Sequence, residues 1–299
     1  MTPPATSPGP APAQWFEGAR PRTLPAAVSP VLAGTGVAAF VDHAVWWKAL
    51  LALLVALALQ VGVNYANDYS DGVRGTDADR VGPLRLVGSG VASPKQVKTA
   101  AFASFGVAMV LGLVLVVTSA WWLLLVGALC VVAAWFYTGG SQPYGYHALG
   151  EVMVFVFFGL VAVVGTTYVQ TGTAPLAAWF AAVCVGSLAC AILVANNVRD
   201  IPTDREVGKR TLAVVLGDRR SRYLYAGLVG VALATLLGLA FATSALALFG
   251  LLFLVPAGSA TRRVLTGATG RGLVPVLQQT GLAELVYALG VFVGLVLAG

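Results

Sequence analysis

The sequence predicts an all-α polytopic membrane protein with about nine transmembrane helices around a central cavity. Of its 299 residues, 58% are hydrophobic and 10% are charged, and the mean hydropathy is +0.85. Soluble domains average about 45–50% apolar and 25% charged residues. Residues 99–150, 152–198 and 223–261 contain no Asp, Glu, Lys or Arg. Each stretch holds roughly two helical crossings of about 20 residues, and none alternates as barrel strands do.

The chain is expected to hold a single membrane domain behind a short tail. Residues 1–18 are rich in Pro and Ala and lack the basic and apolar regions of a signal peptide, so they are interpreted as a disordered tail. Residues 19–299 then form one transmembrane domain. The three cysteines lie inside apolar runs without metal-ligand spacing, and they are interpreted as small core residues.

The apolar runs divide into nine candidate spans at proline, glycine and charged residues. In chain order, these candidate spans are Pro25–Val41, Val45–Asn64, Thr99–Thr118, Trp121–Tyr137, Ala148–Gln170, Pro175–Asn197, Ser221–Thr243, Ser244–Thr261 and Val276–Leu297.

The basic residues orient these spans. With the N-terminus in the cytoplasm, the inner segments carry 17 of the 18 Lys and Arg residues, and only Lys48 falls outside. Because cytoplasmic loops are enriched in Lys and Arg, this distribution favours nine spans, a cytoplasmic N-terminus and an external C-terminus. The net charge of +6 is therefore assigned to topology and to attraction for anionic lipid, and not to nucleic acid.

A first acidic cluster is predicted where the second span ends. Asn64, Asp68 and Asp71 are spaced i, i+4 and i+7, which places them on one helical face, and Asn67 precedes Asp68. Acids at the end of a span, with amide neighbours one turn away, are functional by default. Asn64, Asn67, Asp68 and Asp71 are called the first acidic cluster below.

A second acidic cluster, Asn196, Asn197, Asp200 and Asp204, follows the sixth span. Spans two and six run in the same direction, so both clusters should lie at the cytoplasmic interface. The Asn-x-x-x-Asp pattern repeats after 132 residues, as it would in two related halves around one site. Pro202 is expected to break the helix before Asp204.

Converging carboxylates need a neutralising cation. Asp and Asn oxygens suit Mg²⁺, which binds through a few carboxylates, keeps waters and bridges to substrate phosphates. Lys and Arg beside such carboxylates are typical of a diphosphate clamp. The residues therefore indicate a site for a magnesium-bound diphosphate at the cytoplasmic end of the spans.

These motifs resemble a known family. Asn67-Asp68-x-x-Asp71 and Asp200-x-x-x-Asp204 resemble the two aspartate-rich motifs of the UbiA-type membrane prenyltransferases. Four stretches narrow the resemblance to the branch that prenylates 1,4-dihydroxy-2-naphthoate in menaquinone biosynthesis. They are residues 19–25, residues 75–85, residues 137–151 and residues 196–217.

The resemblance implies a reaction in the bacterial cytoplasmic membrane, with the active site facing the cytoplasm. Two Mg²⁺ ions would bind an all-trans polyprenyl diphosphate. Its allylic carbon would then form a bond to dihydroxynaphthoate with loss of CO₂, giving demethylmenaquinone. The implied metal ligands are Asp68, Asp71, Asp200 and Asp204, with Asp77 as a further carboxylate. The amides of both clusters are expected to contact substrate. Gln142 stands where the family often has Lys, which argues against a cation there.

The other substrate contacts are predicted from residue chemistry. Arg22, Arg85, Lys209 and Arg210 lie beside the acidic clusters or at the entrance of the first span, and they should contact the diphosphate or the acceptor carboxylate. Tyr137, Tyr144 and Tyr146 occupy a charge-free inner loop and offer ring faces and hydroxyls to a flat aromatic acid. Glu151 opens the fifth span and is predicted to orient or deprotonate a naphthol hydroxyl, or to pair with a basic residue.

Two other classes of function remain open from the sequence. A superfamily enzyme acting on 4-hydroxybenzoate or a porphyrin would share both aspartate motifs but not the 137–151 stretch. A transporter would also place acids within its spans, although coupling-ion sites lie near the bilayer midplane and not at one face.

Overall fold

The structure, a computed structural model, describes residues 10–75 and 84–299, and its regular elements are helices. The helices are numbered here in chain order as α1 (Pro12–Gly18), α2 (Pro25–Phe40), α3 (Trp46–Arg74), α4 (Pro94–Thr118), α5 (Leu123–Phe136), α6 (Gly150–Thr171), α7 (Leu176–Glu206), α8 (Leu212–Leu216), α9 (Asp218–Ala242), α10 (Ala245–Leu265) and α11 (Gly270–Val296).

The all-α membrane architecture is confirmed. Seven described helices are long and apolar enough to cross a membrane, namely α3, α4, α6, α7, α9, α10 and α11. An eighth crossing is possible where α2 follows residues Pro12–Thr23 across a 51° bend, and α5 is a shorter apolar helix. Each of the nine candidate spans therefore coincides with a helix.

The chain before the first span is partly ordered. Helix α1 covers residues that the sequence analysis assigned to a disordered tail, while residues 1–9 lie outside the described part. The side chain of Gln14 accepts a bond from the Ala11 amide at 2.8 Å and caps the helix. Tyr65 holds α1 against α3, because its hydroxyl donates to the Trp15 carbonyl at 2.8 Å and the two rings meet edge to face.

The predicted helix break at Pro202 is wrong. Helix α7 continues through Pro202 to Glu206. Proline removes one backbone hydrogen bond and disfavours the helical conformation just before it, but the neighbouring turns can still close. Asp204 consequently lies on the same helix as Asp200, four residues further on, so the two carboxylates share one face.

Helix α6 packs closely on α7 and contains a π-helical segment, Phe155–Val164. The backbones approach so closely at Gly159 that a Cβ atom there would lie 2.7 Å from Cα of Gly186 and from the Ala182 carbonyl oxygen. Helix α7 is the most deeply buried of the long helices, because 72% of an apolar 18-residue stretch of this helix is buried inside the bundle. The middle of α7 is therefore packed directly on α6.

Candidate active site

The first acidic cluster is fixed by hydrogen bonds from neighbouring segments. Asp68 is fully buried and accepts bonds from the backbone amides of Leu86 at 2.8 Å and Val87 at 3.0 Å. Asn64 donates to the Ala19 carbonyl at 2.8 Å and to the Thr23 hydroxyl at 2.9 Å. The segment before α2 and the segment before α4 thus meet at this cluster.

Asp71 and Asn67 face the loop that follows α5. Residues 137–147 are called the bridging loop below. The Tyr146 hydroxyl donates to Oδ1 of Asp71 at 3.0 Å, and the Thr138 hydroxyl donates to Oδ1 of Asn67 at 2.7 Å. Arg74, one turn after Asp71, donates to the carbonyls of Thr138 and Gly140 in the same loop.

The second acidic cluster is partnered by cations. Arg199 binds Asp200 through two hydrogen bonds, of 2.7 and 2.8 Å, and also donates to the Asn196 side chain at 2.8 Å. The ammonium of Lys209 lies 3.7 Å from Oδ1 of Asp204. Both carboxylates are more than nine-tenths buried, so their charges are only weakly screened by solvent.

The structure brings the two clusters to the same end of the bundle, with Tyr146 between them. The Tyr146 ring lies 5.0 Å from the Lys209 ammonium and 5.4 Å from the Arg74 guanidinium. The Arg210 backbone amide donates to the Tyr146 carbonyl at 3.1 Å. The bridging loop therefore contacts the first cluster on one side and the residues after α7 on the other.

The donor chemistry of both clusters fits Mg²⁺. Among the described residues, no three acids, histidines or cysteines converge into one metal-binding group. Mg²⁺ does not need such a cage, because it binds through one or two carboxylates together with phosphate oxygens and waters. Each cluster offers two buried carboxylates beside amide oxygens. The predicted ligand Asp77 lies outside the described residues.

A large apolar cavity opens beside the first acidic cluster. Its volume is about 590 Å³, and it is walled by residues of α2, α3, α4, α5 and α6. The lining positions on α3 run from Ala52 to Asn67, which corresponds to about 22 Å of helix. Asn64, Asn67, Tyr137 and Tyr144 supply polar groups at the end next to the first acidic cluster. The cavity can therefore hold a long apolar chain with its polar head at the first acidic cluster.

At the end of α3 far from the acidic clusters, Lys48 joins three helices. Its ammonium donates to the carbonyls of Thr118 at 2.9 Å and Val169 at 2.8 Å, and to the Ser119 hydroxyl at 3.0 Å. These acceptors lie near the C-terminal ends of α4 and α6, where a cation is favourable. Lys48 thus joins three of the helices that wall the cavity.

The three predicted acceptor tyrosines separate into two groups. Tyr137 and Tyr144 line the cavity with ring centroids 5.5 Å apart, and the Tyr144 hydroxyl donates to the Ala133 carbonyl at 2.7 Å. Burial raises the pKa of the Tyr144 phenol, so this group remains a neutral donor. Tyr146 is not part of the cavity wall and lies with the acidic clusters.

Glu151 contacts the second acidic cluster. Its Oε1 accepts a hydrogen bond from the Asn197 amide at 2.9 Å, while Oε2 is buried and has no hydrogen-bond partner among the described residues. The side chain lies in the first turn of α6, close to the bridging loop. Leaving a buried carboxylate oxygen without a hydrogen-bond partner is costly.

The predicted basic residues occupy different environments. Lys209 contacts Asp204, Arg210 and Arg22 are exposed, and Arg85 is half-buried next to the backbone that binds Asp68. Arg20, Arg74 and Arg199 were not among the site residues predicted from the sequence. Each lies beside an acidic cluster, and the charge of Arg20 is close enough to act on Asp68. For Arg74 and Arg199, their positions near the acids in the sequence were the available signal, whereas only the tertiary fold brings Arg20 close to Asp68.

Comparison with known proteins assigns the fold. A sequence model of the UbiA prenyltransferase family matches residues 27–271, which is more than half of the chain. The chain belongs to the UbiA prenyltransferase family. One family member, the 1,4-dihydroxy-2-naphthoate octaprenyltransferase of Mycobacterium tuberculosis, is 57% identical over 279 residues, covering 93% of this chain and 95% of that protein. The resemblance indicated by the motifs is thereby confirmed.

Two solved structures share the UbiA fold. The apo structure of a UbiA homologue from Aeropyrum pernix K1 matches with a TM-score of 0.70 at 15% identity, over 90% of this chain and 97% of that chain. A UbiA homologue from Archaeoglobus fulgidus, bound to DMAPP and Mg²⁺, matches with a TM-score of 0.61 at 15% identity. That match covers 94% of this chain and 99% of the homologue.

Proposed function

We propose that this protein is an integral membrane prenyltransferase of menaquinone biosynthesis. It condenses an all-trans polyprenyl diphosphate with 1,4-dihydroxy-2-naphthoate, and it releases diphosphate and CO₂ to give demethylmenaquinone. The observation that carries this proposal is the apolar cavity, whose inner end opens at Asn64 and Asn67 of the first acidic cluster, beside the buried carboxylates of that cluster. The 57% identical relative named for the same acceptor supports the choice of dihydroxynaphthoate.

Mg²⁺ is the proposed cofactor, with one ion at each cluster. Asp68 and Asp71, with Asp77, would hold the first ion, and Asp200 and Asp204 the second. Bound Mg²⁺ stabilises negative charge on the departing diphosphate. The Mg²⁺-bound homologue from Archaeoglobus fulgidus supports metal dependence in this fold.

The protein's own cations complete the diphosphate site. Arg74, Arg199 and Lys209 already lie beside the carboxylates, Arg210 follows Lys209 in the chain, and Arg85 precedes Leu86, whose amide binds Asp68. Arginine binds phosphate oxygens in a bidentate manner and lysine acts as a point charge. These side chains orient the diphosphate so that its allylic carbon points into the cavity.

The cavity wall protects the reacting carbon. As the allylic C–O bond breaks, its electron pair goes to the diphosphate and positive charge develops on the allylic carbon. The wall is apolar from Ala52 to Val63 on α3 and along the facing side of α6, except for Gln60 on α3 and Thr166 on α6. Excluding water from this space prevents hydrolysis of the developing cation.

The acceptor ring is proposed to lie against Tyr137 and Tyr144. The ring carbon that bears the carboxylate forms the new C–C bond, and loss of CO₂ returns the electron pair of the carboxylate bond to the ring. Glu151, through its Oε2 atom, would accept a hydrogen bond or a proton from a naphthol hydroxyl. Asn64, Asn67, Asn196 and Asn197 supply neutral hydrogen-bonding groups around both substrates.

The proposed topology follows from the distribution of charge. The protein is a multi-pass membrane protein, and we place its N-terminus and the active site on the cytoplasmic side and its C-terminus outside. In this orientation the basic residues that lie beside the two acidic clusters belong to the cytoplasmic segments. Lys48 lies at the outer end of the bundle. The expected partners are the two substrates and the lipid bilayer, and no nucleic acid.

One reconstitution tests the reaction. The purified protein in lipid nanodiscs is given Mg²⁺, labelled all-trans octaprenyl diphosphate and dihydroxynaphthoate, and the products are read by mass spectrometry. We expect demethylmenaquinone and CO₂, with no product in EDTA. Parallel reactions contain 4-hydroxybenzoate or a porphyrin as acceptor. Prenylation of one of these at the higher rate, or no transfer to any acceptor, would contradict the proposal.

A further inference from the structure

The bridging loop touches both substrate regions of the proposed site. At one end Tyr137 and Tyr144 form part of the cavity wall. At the other end Tyr146 donates to Asp71 at 3.0 Å and lies 5.0 Å from the Lys209 ammonium, which itself pairs with Asp204. One short loop therefore reaches the acceptor region and both acidic clusters.

A hydrogen bond ties the two ends of the loop together, so a displacement at one end is transmitted to the other. The Gly145 amide donates to the Tyr137 carbonyl at 3.1 Å, and a Cβ atom at Gly145 would lie 2.7 Å from that oxygen. Asn67 and Arg74 of α3 hold the loop at Thr138. Tyr146 cannot move far without moving the backbone that carries Tyr144.

We propose that Tyr146 couples the two substrates, so that bound diphosphate strengthens the binding of the aromatic acceptor. This inference rests on the proposed function. A diphosphate at the acidic clusters restrains Asp71, Arg74 and Lys209, and each of these side chains contacts the hydroxyl or the ring of Tyr146. Restraining the phenol orders the bridging loop in its acceptor-binding position. The acceptor then binds with a smaller loss of conformational entropy.

The coupling has a defined size and must be reciprocal. Coupling between two ligands typically changes affinity by about 5- to 150-fold, and each ligand changes the affinity for the other by the same factor. We therefore expect the diphosphate to lower the Kd for dihydroxynaphthoate by at least about fivefold. The acceptor should lower the Kd for the diphosphate by an equal factor.

Binding measurements without turnover test this coupling. Isothermal titration calorimetry gives the Kd of dihydroxynaphthoate for the full protein with Mg²⁺, with and without saturating farnesyl S-thiolodiphosphate, a slowly reacting diphosphate analogue. The Tyr146→Phe variant keeps the ring between Arg74 and Lys209 but loses the hydrogen bond to Asp71. In the wild type we expect the analogue to lower the Kd for dihydroxynaphthoate by at least about fivefold. In Tyr146→Phe we expect the analogue to leave this Kd nearly unchanged.

Tyr144→Phe is the matched control from the same loop. Its hydroxyl bonds to the Ala133 carbonyl and not to an acidic cluster, so this variant should change the acceptor Kd alone and keep the coupling factor. Lys209→Met provides a second test of the coupling contact if Tyr146→Phe does not fold. The proposal is overturned if the analogue leaves the Kd for dihydroxynaphthoate unchanged in the wild type. It is also overturned if the analogue lowers this Kd equally in the wild type and in Tyr146→Phe. Failure of the wild type to bind either substrate instead overturns the proposed function.

Discussion

The Asn197 amide donates to Oε1 of Glu151 at 2.9 Å, so the second acidic cluster directly contacts the acid that opens α6. This bond fixes one carboxylate oxygen and leaves Oε2 buried and without a partner among the described residues. A substrate group placed next to Oε2 would complete its hydrogen bonding. The role of Glu151 can therefore be tested separately from the roles of the aspartates.

Glu151→Gln should lower kcat with dihydroxynaphthoate by about 100-fold or more, the usual contribution of a general base. The affinity for polyprenyl diphosphate should not change, because Gln keeps the size of the side chain and its Oε1 can still accept from Asn197. Steady-state kinetics and diphosphate binding measure the two effects. An unchanged kcat, or loss of diphosphate binding, would return Glu151 to a structural role.

Asp200→Asn should abolish turnover while the protein still folds. The substitution keeps the size of the side chain and removes the charge that would hold a metal ion. Activity is measured across a range of Mg²⁺ concentrations, with unfolding temperature as the check on folding. Near-wild-type rates at low Mg²⁺ would rule out Asp200 as a metal ligand.

Asp68→Asn should abolish turnover and should also destabilise the fold. Both carboxylate oxygens of Asp68 accept backbone hydrogen bonds, and an asparagine can offer only one acceptor oxygen to the Leu86 and Val87 amides. Leaving a buried donor without a partner costs about 1–3 kcal/mol. Thermal unfolding in detergent should therefore give a lower unfolding temperature for Asp68→Asn than for the wild type, and an unchanged temperature would contradict this cost.

Two groups of basic residues should respond differently to alanine. Lys209→Ala, Arg85→Ala, Arg22→Ala and Arg210→Ala are expected to raise the KM for the diphosphate or to lower kcat, because these side chains are the predicted contacts of the diphosphate or of the acceptor carboxylate. Arg262→Ala, Arg263→Ala and Arg271→Ala are expected to leave both constants unchanged, because positive charge there serves only to orient the chain. Equal effects in the two groups would argue against a localised clamp.

Glu284→Leu should stabilise the protein. Glu284 is fully buried in α11, and neither of its carboxylate oxygens has a hydrogen-bond partner among the described residues. Replacing such a group with an apolar side chain of similar size removes a cost of about 1–3 kcal/mol. We expect a higher unfolding temperature in detergent, with the exposed Glu206→Leu as the control. A lower unfolding temperature than the wild type would show that Glu284 has a bound partner.

The sequence predicted what depends on local pattern and missed what depends on tertiary contacts. Apolar runs marked every long helix, and i, i+4 spacing placed Asn64 and Asp68 on one face. The continuation of α7 through Pro202 was missed because a local conformational preference was outweighed by the helix around it. The position of Tyr146 could not be predicted from the sequence either, since its partners Asp71 and Lys209 come from segments far apart in the chain.

The π-helical segment of α6 sets the rotational phase between its two ends. A π-helix holds more residues per turn than an α-helix, so Phe155–Val164 shifts the angle at which Glu151 faces α7 relative to the cavity-lining positions beyond it. One residue corresponds to about 100° of α-helical rotation. Deleting a single residue from the segment would restore a uniform α-helix only by turning Glu151 away from Asn197 or by turning Thr166 and Val169 out of the cavity wall.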